Sequence, residues 1–315
     1  MTVSNILVLG SLNMDLVMQT KVCPAGGQTM HGDPDGFHTG AGGKGANQAV
    51  AVARLSNPSD TKIYMAGCVG EDVFGQDMLR GLKQDNVDVD AVKVIPNKSS
   101  GVAMIIVESN GENRILLSEG ANSCVDVPFV QALEEKIQHS DLLILQLEIP
   151  LLSVQKAVEL AHKHHVDVLL NPAPAVSLSP ELLQHVSYLV PNEHEAAVLL
   201  GCPESPPTAQ NAELYADKLL ATGIRKAVII TLGSEGAFYK TKTGESAHIP
   251  AKKVQAIDTT AAGDTFIGAF STSISHEKPL KDSLQFAAQS SAITVQRKGA
   301  ANSIPTYTDI QNILK

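Results

Sequence analysis

The chain has 315 residues, 43% of them hydrophobic, enough to bury about three quarters of the unfolded surface in one large core, although length alone would allow about two domains. A formal charge of −9 with 4% aromatic residues argues against a nucleic-acid partner but not against a phosphorylated substrate. No apolar run approaches the ~20 residues of a membrane span and no basic-then-apolar leader opens the chain, so a cytoplasmic protein without a membrane partner is expected.

In chain order, Asn5 to Gly10 reads as a buried strand stopped by glycine. A polar turn, Gly10-Ser11-Leu12-Asn13-Met14-Asp15, leads into a strand-like piece from Asp15 to Lys21 and a Gly- and His-rich excursion to Thr39. Gly40-Ala41-Gly42-Gly43-Lys44-Gly45-Ala46-Asn47 then places four glycines and a lysine ahead of an apolar helix expected over Gln48 to Leu55. Glycine lets a backbone approach a ligand closely, and Asn47 offers both a donor and an acceptor. The order is not GxxxxGK[ST], and no GxGxxG follows a strand, which disfavours a dinucleotide oxidoreductase.

Short apolar runs recur at Ile63 to Ala66, Leu142 to Gln146, Val166 to Leu170, Tyr188 to Val190 and Val228 to Thr231. Helical patterns over Val73 to Gln84, Leu151 to His164, Glu193 to Leu200 and Ala209 to Ala221 separate most of them. Such alternation predicts an α/β fold with a doubly wound, mostly parallel sheet covered by helices on both faces. Ligands then bind beyond the carboxyl ends of the strands, where Gly10, Glu148, Asn171, Asn192 and Thr231 all fall. Two segments break the alternation: residues 15–39, and Gly101 to Val107 with Arg114 to Leu117 flanking the hairpin signal Asn110-Gly111. They are expected to build a small antiparallel sheet over the site. Pro203 to Pro207 reads as a loop, and the chain is mostly helical from Ala262, with one amphipathic helix over Lys281 to Val295.

Cys23, Cys68, Cys124 and Cys202 are scattered without a CxxC pair, so buried reduced thiols are expected rather than zinc or disulfides. His162, His164 and His165 are expected to serve a helix end and not a metal.

Asp258-Thr259-Thr260-Ala261-Ala262-Gly263-Asp264-Thr265-Phe266 carries the most chemistry. Small residues at a helix start leave N–H groups and the positive end of the dipole open to an anion. Asp264 in that first turn would repel the anion, which makes sense if it takes a proton from a hydroxyl attacking a phosphate.

Six further segments accompany it: Gly42-Gly43-Lys44-Gly45-Ala46-Asn47-Gln48-Ala49, Leu145-Gln146-Leu147-Glu148, Asn171-Pro172-Ala173-Pro174-Ala175, Pro191-Asn192-Glu193-His194-Glu195, Thr231-Leu232-Gly233-Ser234-Glu235-Gly236 and the opening turn. In this order and spacing the chain resembles, end to end, the ribokinase-like family of sugar and nucleoside kinases. The resemblance implies a single domain over residues 1–315 with a β lid built from about 12–40 and 94–120, the lid also carrying a homodimer contact. It implies ATP-dependent phosphorylation of the 5-hydroxyl of D-ribose, with deoxyribose, fructose or a nucleoside such as adenosine as alternative acceptors. A non-catalytic sugar-binding regulator is the alternative from another class.

Residue by residue, the resemblance makes Asp264 the catalytic base, with Ala261, Ala262 and Gly263 an anion hole. It puts Asn13, Asp15, Gly42, Gly43, Lys44, Gly45, Asn47 and Glu148 around the sugar. Asn192, Thr231, Gly233, Ser234, Gly236 and Gly263 hold ATP, with Asn192 and Glu195 associated with Mg²⁺. Asp258, Thr260, Thr294, Arg297, Gly299 and Ser303 form a monovalent-cation site, expected to take K⁺ mainly through backbone carbonyls. Ala288 stands where some relatives carry Asn near the adenine.

Overall fold

The computed structural model describes residues 3–311. Its strands are β1 (Ser4–Leu9), β2 (Asn13–Thr20), β3 (Phe37–Gly42), β4 (Thr61–Gly70), β5 (Asp88–Ile95), β6 (Gly101–Glu108), β7 (Asn113–Ser118), β8 (Leu142–Leu145), β9 (Asp167–Leu170), β10 (Tyr188–Leu189), β11 (Ala227–Thr231), β12 (Ala237–Thr241) and β13 (Ser246–Ile249). Nine of them form a sheet in the order β13-β12-β11-β10-β9-β8-β1-β4-β5. It is parallel from β11 through to β5, and β12 and β13 are antiparallel at one edge. The strand order runs outward in both directions from β1, so connections wind to both faces.

The helices are α1 (Lys44–Leu55), α2 (Val73–Gln84), α3 (Val127–Ala132), α4 (Glu134–Gln138), α5 (Leu151–Lys163), α6 (Pro180–Leu183), α7 (Glu193–Leu199), α8 (Ala212–Leu220), α9 (Ala262–Ser275), α10 (Leu280–Thr294) and α11 (Tyr307–Gln311). Alternate residues of β1 feed two separate cores, as the two-residue period of a strand requires. Ile6 and Val8 pack with Val50 and Val52 of α1 and Phe266 and Phe270 of α9. Leu7 and Leu9 pack with Val154 and Val158 of α5 and Leu219 of α8. Because both faces are covered, the central strands read as unbroken apolar runs rather than alternating ones.

The small sheet has the order β3-β2-β6-β7. Its outer pairs, β2 with β3 and β6 with β7, are antiparallel, while β2 and β6 run parallel at its centre. The strands at Asp88–Ile95, Ala237–Thr241 and Ser246–Ile249 were not expected. All three lie at or next to a sheet edge, where charges and short polar segments interrupt the apolar run.

The glycine-rich segment is not a loop ahead of a helix at Gln48. Gly40 to Gly42 end β3, and the helix already begins at Lys44. Gly43 turns between them at φ 88°, where a Cβ would sit 2.7 Å from the Asn13 backbone nitrogen, so only glycine fits. Of the four cysteines, all free, only Cys68 is buried; the other three are half-buried. His162 stacks on His185 at 3.9 Å, and the His164 Nε2 lies 2.8 Å from the Glu134 carboxylate, at the end of α5. Among the described residues no cluster of three or more His, Cys, Asp or Glu could hold a metal, and no helix is long and apolar enough to cross a membrane.

Candidate active site

The carboxyl ends of β1, β8, β9, β10 and β11 converge below the small sheet, and two helix N-termini without side-chain caps, those of α1 and α9, point into the same space. At α1 the orphan donors of the first turn are met from outside the helix. Lys44 N–H donates to Glu148 (3.1 Å), Gly45 N–H to Ser11 Oγ (3.3 Å) and Ala46 N–H to the Ser11 carbonyl (2.9 Å). Ser11 Oγ in turn donates to Glu148 at 2.5 Å. Glu148 is therefore a partnered carboxylate at the positive end of a helix, and Ser11 is a supporting residue that its small polar side chain gave no reason to single out.

Asn13 and Asp15 point to one face of β2. Asn122, buried in the turn Gly120–Cys124, donates to Asn13 Oδ1 at 2.7 Å and accepts from Leu12 N–H at 2.9 Å. It lies 109 residues from Asn13, too far for any local signal to reveal. Gly42 faces Asp15, whose Cγ would lie 2.7 Å from a Cβ at position 42. Burial pushes the Asp15 carboxyl up to about 7, and the Glu148 and Asp264 charges push the same way. Burial lowers the Lys44 pKa, but Asp264, Glu148 and Glu195 more than offset that, so the ammonium is held in its charged form.

At α9 the cap is Ala261, in the left-handed region at φ 59°, a conformation that costs an L-residue roughly 1–2 kcal/mol. Ala262 N–H turns back to the Thr259 carbonyl at 3.2 Å, whereas Gly263 and Asp264 N–H donate to no protein acceptor among the described residues. Two such N–H groups at a helix start are donors of the kind that can receive an anion. Asp264 beside them is buried and accepts from Asn47 Nδ2 (3.1 Å) and Gln48 Nε2 (3.0 Å). Burial raises its pKa, with Lys44 and the two amides pulling it back toward ionisation. Gln48 was not expected; adjacency to Asn47 on a helix was the only available hint.

Across the sheet, Thr231 at the end of β11 bridges to Asn192, and the turn Gly233–Glu235 follows. Gly236 has φ 100°, and a Cβ there would meet Ala251 N at 2.6 Å. Asn192 and Glu195 are joined reciprocally as the capping box of α7: Glu195 N–H donates to Asn192 Oδ1, and Asn192 N–H to the Glu195 carboxylate, each at 2.8 Å. The pair thus has a structural task of its own, and burial raises the Glu195 pKa. Ala288 lies with Pro250, Lys252 and Gln289 around a cavity of about 560 Å³, close to the anion hole because Ser291 of α10 donates to the Ala262 carbonyl at 2.9 Å.

The loop at Asp258, where a monovalent cation was expected, meets the segment after α10: Asp258 N–H donates to the Val295 carbonyl at 3.2 Å. Asp258 accepts from Thr260 N–H (2.9 Å) and Thr260 Oγ1 (2.7 Å) through one oxygen and from Gly299 N–H (2.9 Å) through the other. Those contacts hold its pKa below the usual carboxylate range against the opposing effect of burial. Thr294 Oγ1 instead pairs with Thr265 Oγ1 at 2.9 Å, Arg297 turns to Asp309 at 3.2 Å, and Ser303 Oγ donates to the Ala300 carbonyl at 2.7 Å.

Residues 3–307 match the pfkB family carbohydrate kinase. The chain is 67% identical to a ribokinase of Schizosaccharomyces pombe over 306 residues, covering 97% of this chain and 96% of the relative. It is 35% identical to a deoxyribokinase of Salmonella typhi, over 98% of each chain. The solved structure of Arabidopsis thaliana ribokinase complexed with ribose and ATP superposes with a TM-score of 0.86 at 30% identity, covering 100% of this chain and 99% of that one.

Proposed function

The chain belongs to the pfkB family of carbohydrate kinases, and from that premise we propose that it is a ribokinase, transferring the γ-phosphoryl group of ATP to the 5-hydroxyl of D-ribose. The observation that carries the chemistry is Asp264, buried beside two N–H groups without a partner among the described residues and within reach of the charges of Asp15 and Glu148. Asp264 takes the proton as the sugar oxygen attacks phosphorus, the bond to ADP breaks, and the Gly263 and Asp264 N–H groups meet the charge on the phosphoryl oxygens. The relative at 67% identity, named a ribokinase, supports ribose as the acceptor. The deoxyribokinase relative makes deoxyribose the second candidate.

Mg²⁺ accompanies ATP in this reading and neutralises phosphate charge. Each Glu195 oxygen accepts from Asn192 and keeps a lone pair for water, which fits a water-mediated contact and an ion held mainly by phosphates. For K⁺, Asp258 and Thr260 with the backbone near Arg297, Gly299 and Ser303 would hold the ion. The Thr294 hydroxyl is already engaged by Thr265, so it drops out of the side-chain set. In the same proposal β2, β3, β6 and β7 form a lid over the sugar within a single domain, two lids pair in a homodimer, and the enzyme works in the cytoplasm, where ATP is regenerated.

The test is ADP release measured across ribose, deoxyribose, fructose and adenosine. Ribose is expected to give the highest kcat/KM. A higher value for deoxyribose would reassign the acceptor, and no release with any of them would remove the kinase reading in favour of a sugar-binding regulator.

A further inference from the structure

Gln48 of α1, with Gln146 and Asn171 just past the ends of β8 and β9, forms a relay of side-chain amides behind Asp264. Asn171 Nδ2 donates to the Val190 carbonyl at 3.0 Å. A peptide carbonyl can only accept, so Asn171 must turn its nitrogen there and its oxygen toward Gln48. Gln48 must then answer with its nitrogen: Nε2 donates to Asn171 Oδ1 at 3.1 Å and to Asp264 Oδ1 at 3.0 Å, which spends both of its protons. Its oxygen is left to face Gln146, which donates from Nε2 at 2.6 Å. The polarity ends at Gln146 Oε1, buried with no partner among the described residues. Leaving a buried acceptor unpaired is costly, so this orientation is held by what lies at the other end.

We infer that Gln48 is a positioning residue for the base, and that the Val190 carbonyl, acting through Asn171, fixes the relay so that Asp264 meets an N–H and never a carbonyl. With the amide reversed, the Gln48 oxygen would face the carboxylate and repel it. The bland alternative is polar packing in a crowded core, since Gln48 and Gln146 are both fully buried. The two readings differ in what they do to protonation. Asp264 is pushed toward its neutral form by burial and by the charges of Glu148, Asp15 and Glu195, and toward ionisation by Lys44, Asn47 and Gln48. Taking away one donor to the carboxylate must move its pKa upward.

The assignment of a base rests on the phosphoryl-transfer reading, so the experiment has one readout that depends on turnover and one that does not. Gln48→Met keeps the length of the side chain without its amide. Its kcat/KM for ribose is followed against pH, and the Asp264 carboxyl is titrated by ¹³C NMR, with its resonance assigned by loss in Asp264→Asn. Expected is an upward move of about one pH unit in both the acid limb and the NMR midpoint, with kcat about 10-fold lower and the KM for ATP unchanged. Asn171→Leu, which removes the acceptor that holds the Gln48 nitrogen, should move both in the same direction by less. A folded Gln48→Met in which neither moves overturns the inference. Should Gln48→Met not fold, an unmoved Asn171→Leu overturns it equally. An NMR midpoint that moves in a protein that phosphorylates no sugar would keep the relay and discard the kinase.

Discussion

Asp264 concentrates opposing influences in one carboxyl group: burial raises its pKa while an ammonium and two amides favour its charge. Asp264→Asn preserves shape and removes the proton acceptor. Turnover should fall by about 10²–10⁴-fold with the unfolding midpoint little changed, and a variant retaining a tenth of kcat would remove Asp264 from the role. Asp15 makes a second prediction, because burial holds its pKa near 7 against an ordinary 3.8. Between those values the folded chain carries a proton the unfolded chain has lost, so this group contributes stability at low pH that fades as pH rises toward 7. Sugar hydroxyls donating to Asp15 favour its ionised form. Ribose binding should therefore release a proton and tighten between pH 6 and pH 8, as calorimetry in buffers of different ionisation enthalpy would read. Asp15→Asn should abolish the proton release; equal release in both proteins would assign it elsewhere.

Helices α1 and α9 hold the two halves of the site against each other. Gly268 lets them approach: a Cβ there would lie 2.8 Å from both the Ala51 carbonyl carbon and the Val52 nitrogen. Gly268→Val should overpack the contact, costing about 1–3 kcal/mol. By levering Asn47 and Gln48 from Asp264 it should also lower kcat more than it raises either KM. Chemical denaturation paired with steady-state kinetics reads both, and normal kcat in a destabilised protein would separate the packing from the catalysis. The loop from Asp258 to Ala261 feeds α9 directly, and Asp258 already ties it to Gly299. A cation there would order the carbonyls leading into the anion hole. K⁺ should thus raise kcat or lower the ribose KM well beyond Na⁺ at equal ionic strength, which controls for screening. Equal activity in K⁺, Na⁺ and a bulky organic cation would show that direct hydrogen bonds suffice.

At the scale of the whole molecule, the small sheet carries a group of exposed apolar side chains. Phe37, Met104, Ile115, Leu116 and Leu117 are each more than half exposed. Unpaired edges with exposed apolar side chains seek partners, and two-fold pairing is the commonest closed arrangement. The protein should sediment as a homodimer at micromolar concentration, and Leu116→Lys should shift it toward monomer. A wild-type monomer with full activity would refute pairing through this sheet.

Much of this was legible in the chain. The apolar runs and helical periods from Val73 to Gln84 and from Leu151 onward mark their elements because both faces of the main sheet are buried, and burial imposes composition locally. The small residues before Asp264 marked the helix start with open N–H groups, because an open N–H needs a small side chain whatever surrounds it. Edge strands such as Asp88–Ile95 were not legible, since one exposed side lets charges interrupt the run. Nor were the residues whose partners lie far along the chain. Asn122 reaches Leu12 and Asn13 across more than a hundred positions, and Gln48 finds Asp264 across 216. Side-chain chemistry by itself determined which strands are buried on both faces and where a helix could start with open N–H groups. Which amide points its N–H at Asp264, and that Asn192 and Glu195 cap a helix, only the tertiary structure decided, because a hydrogen bond's direction depends on partners that sequence distance hides.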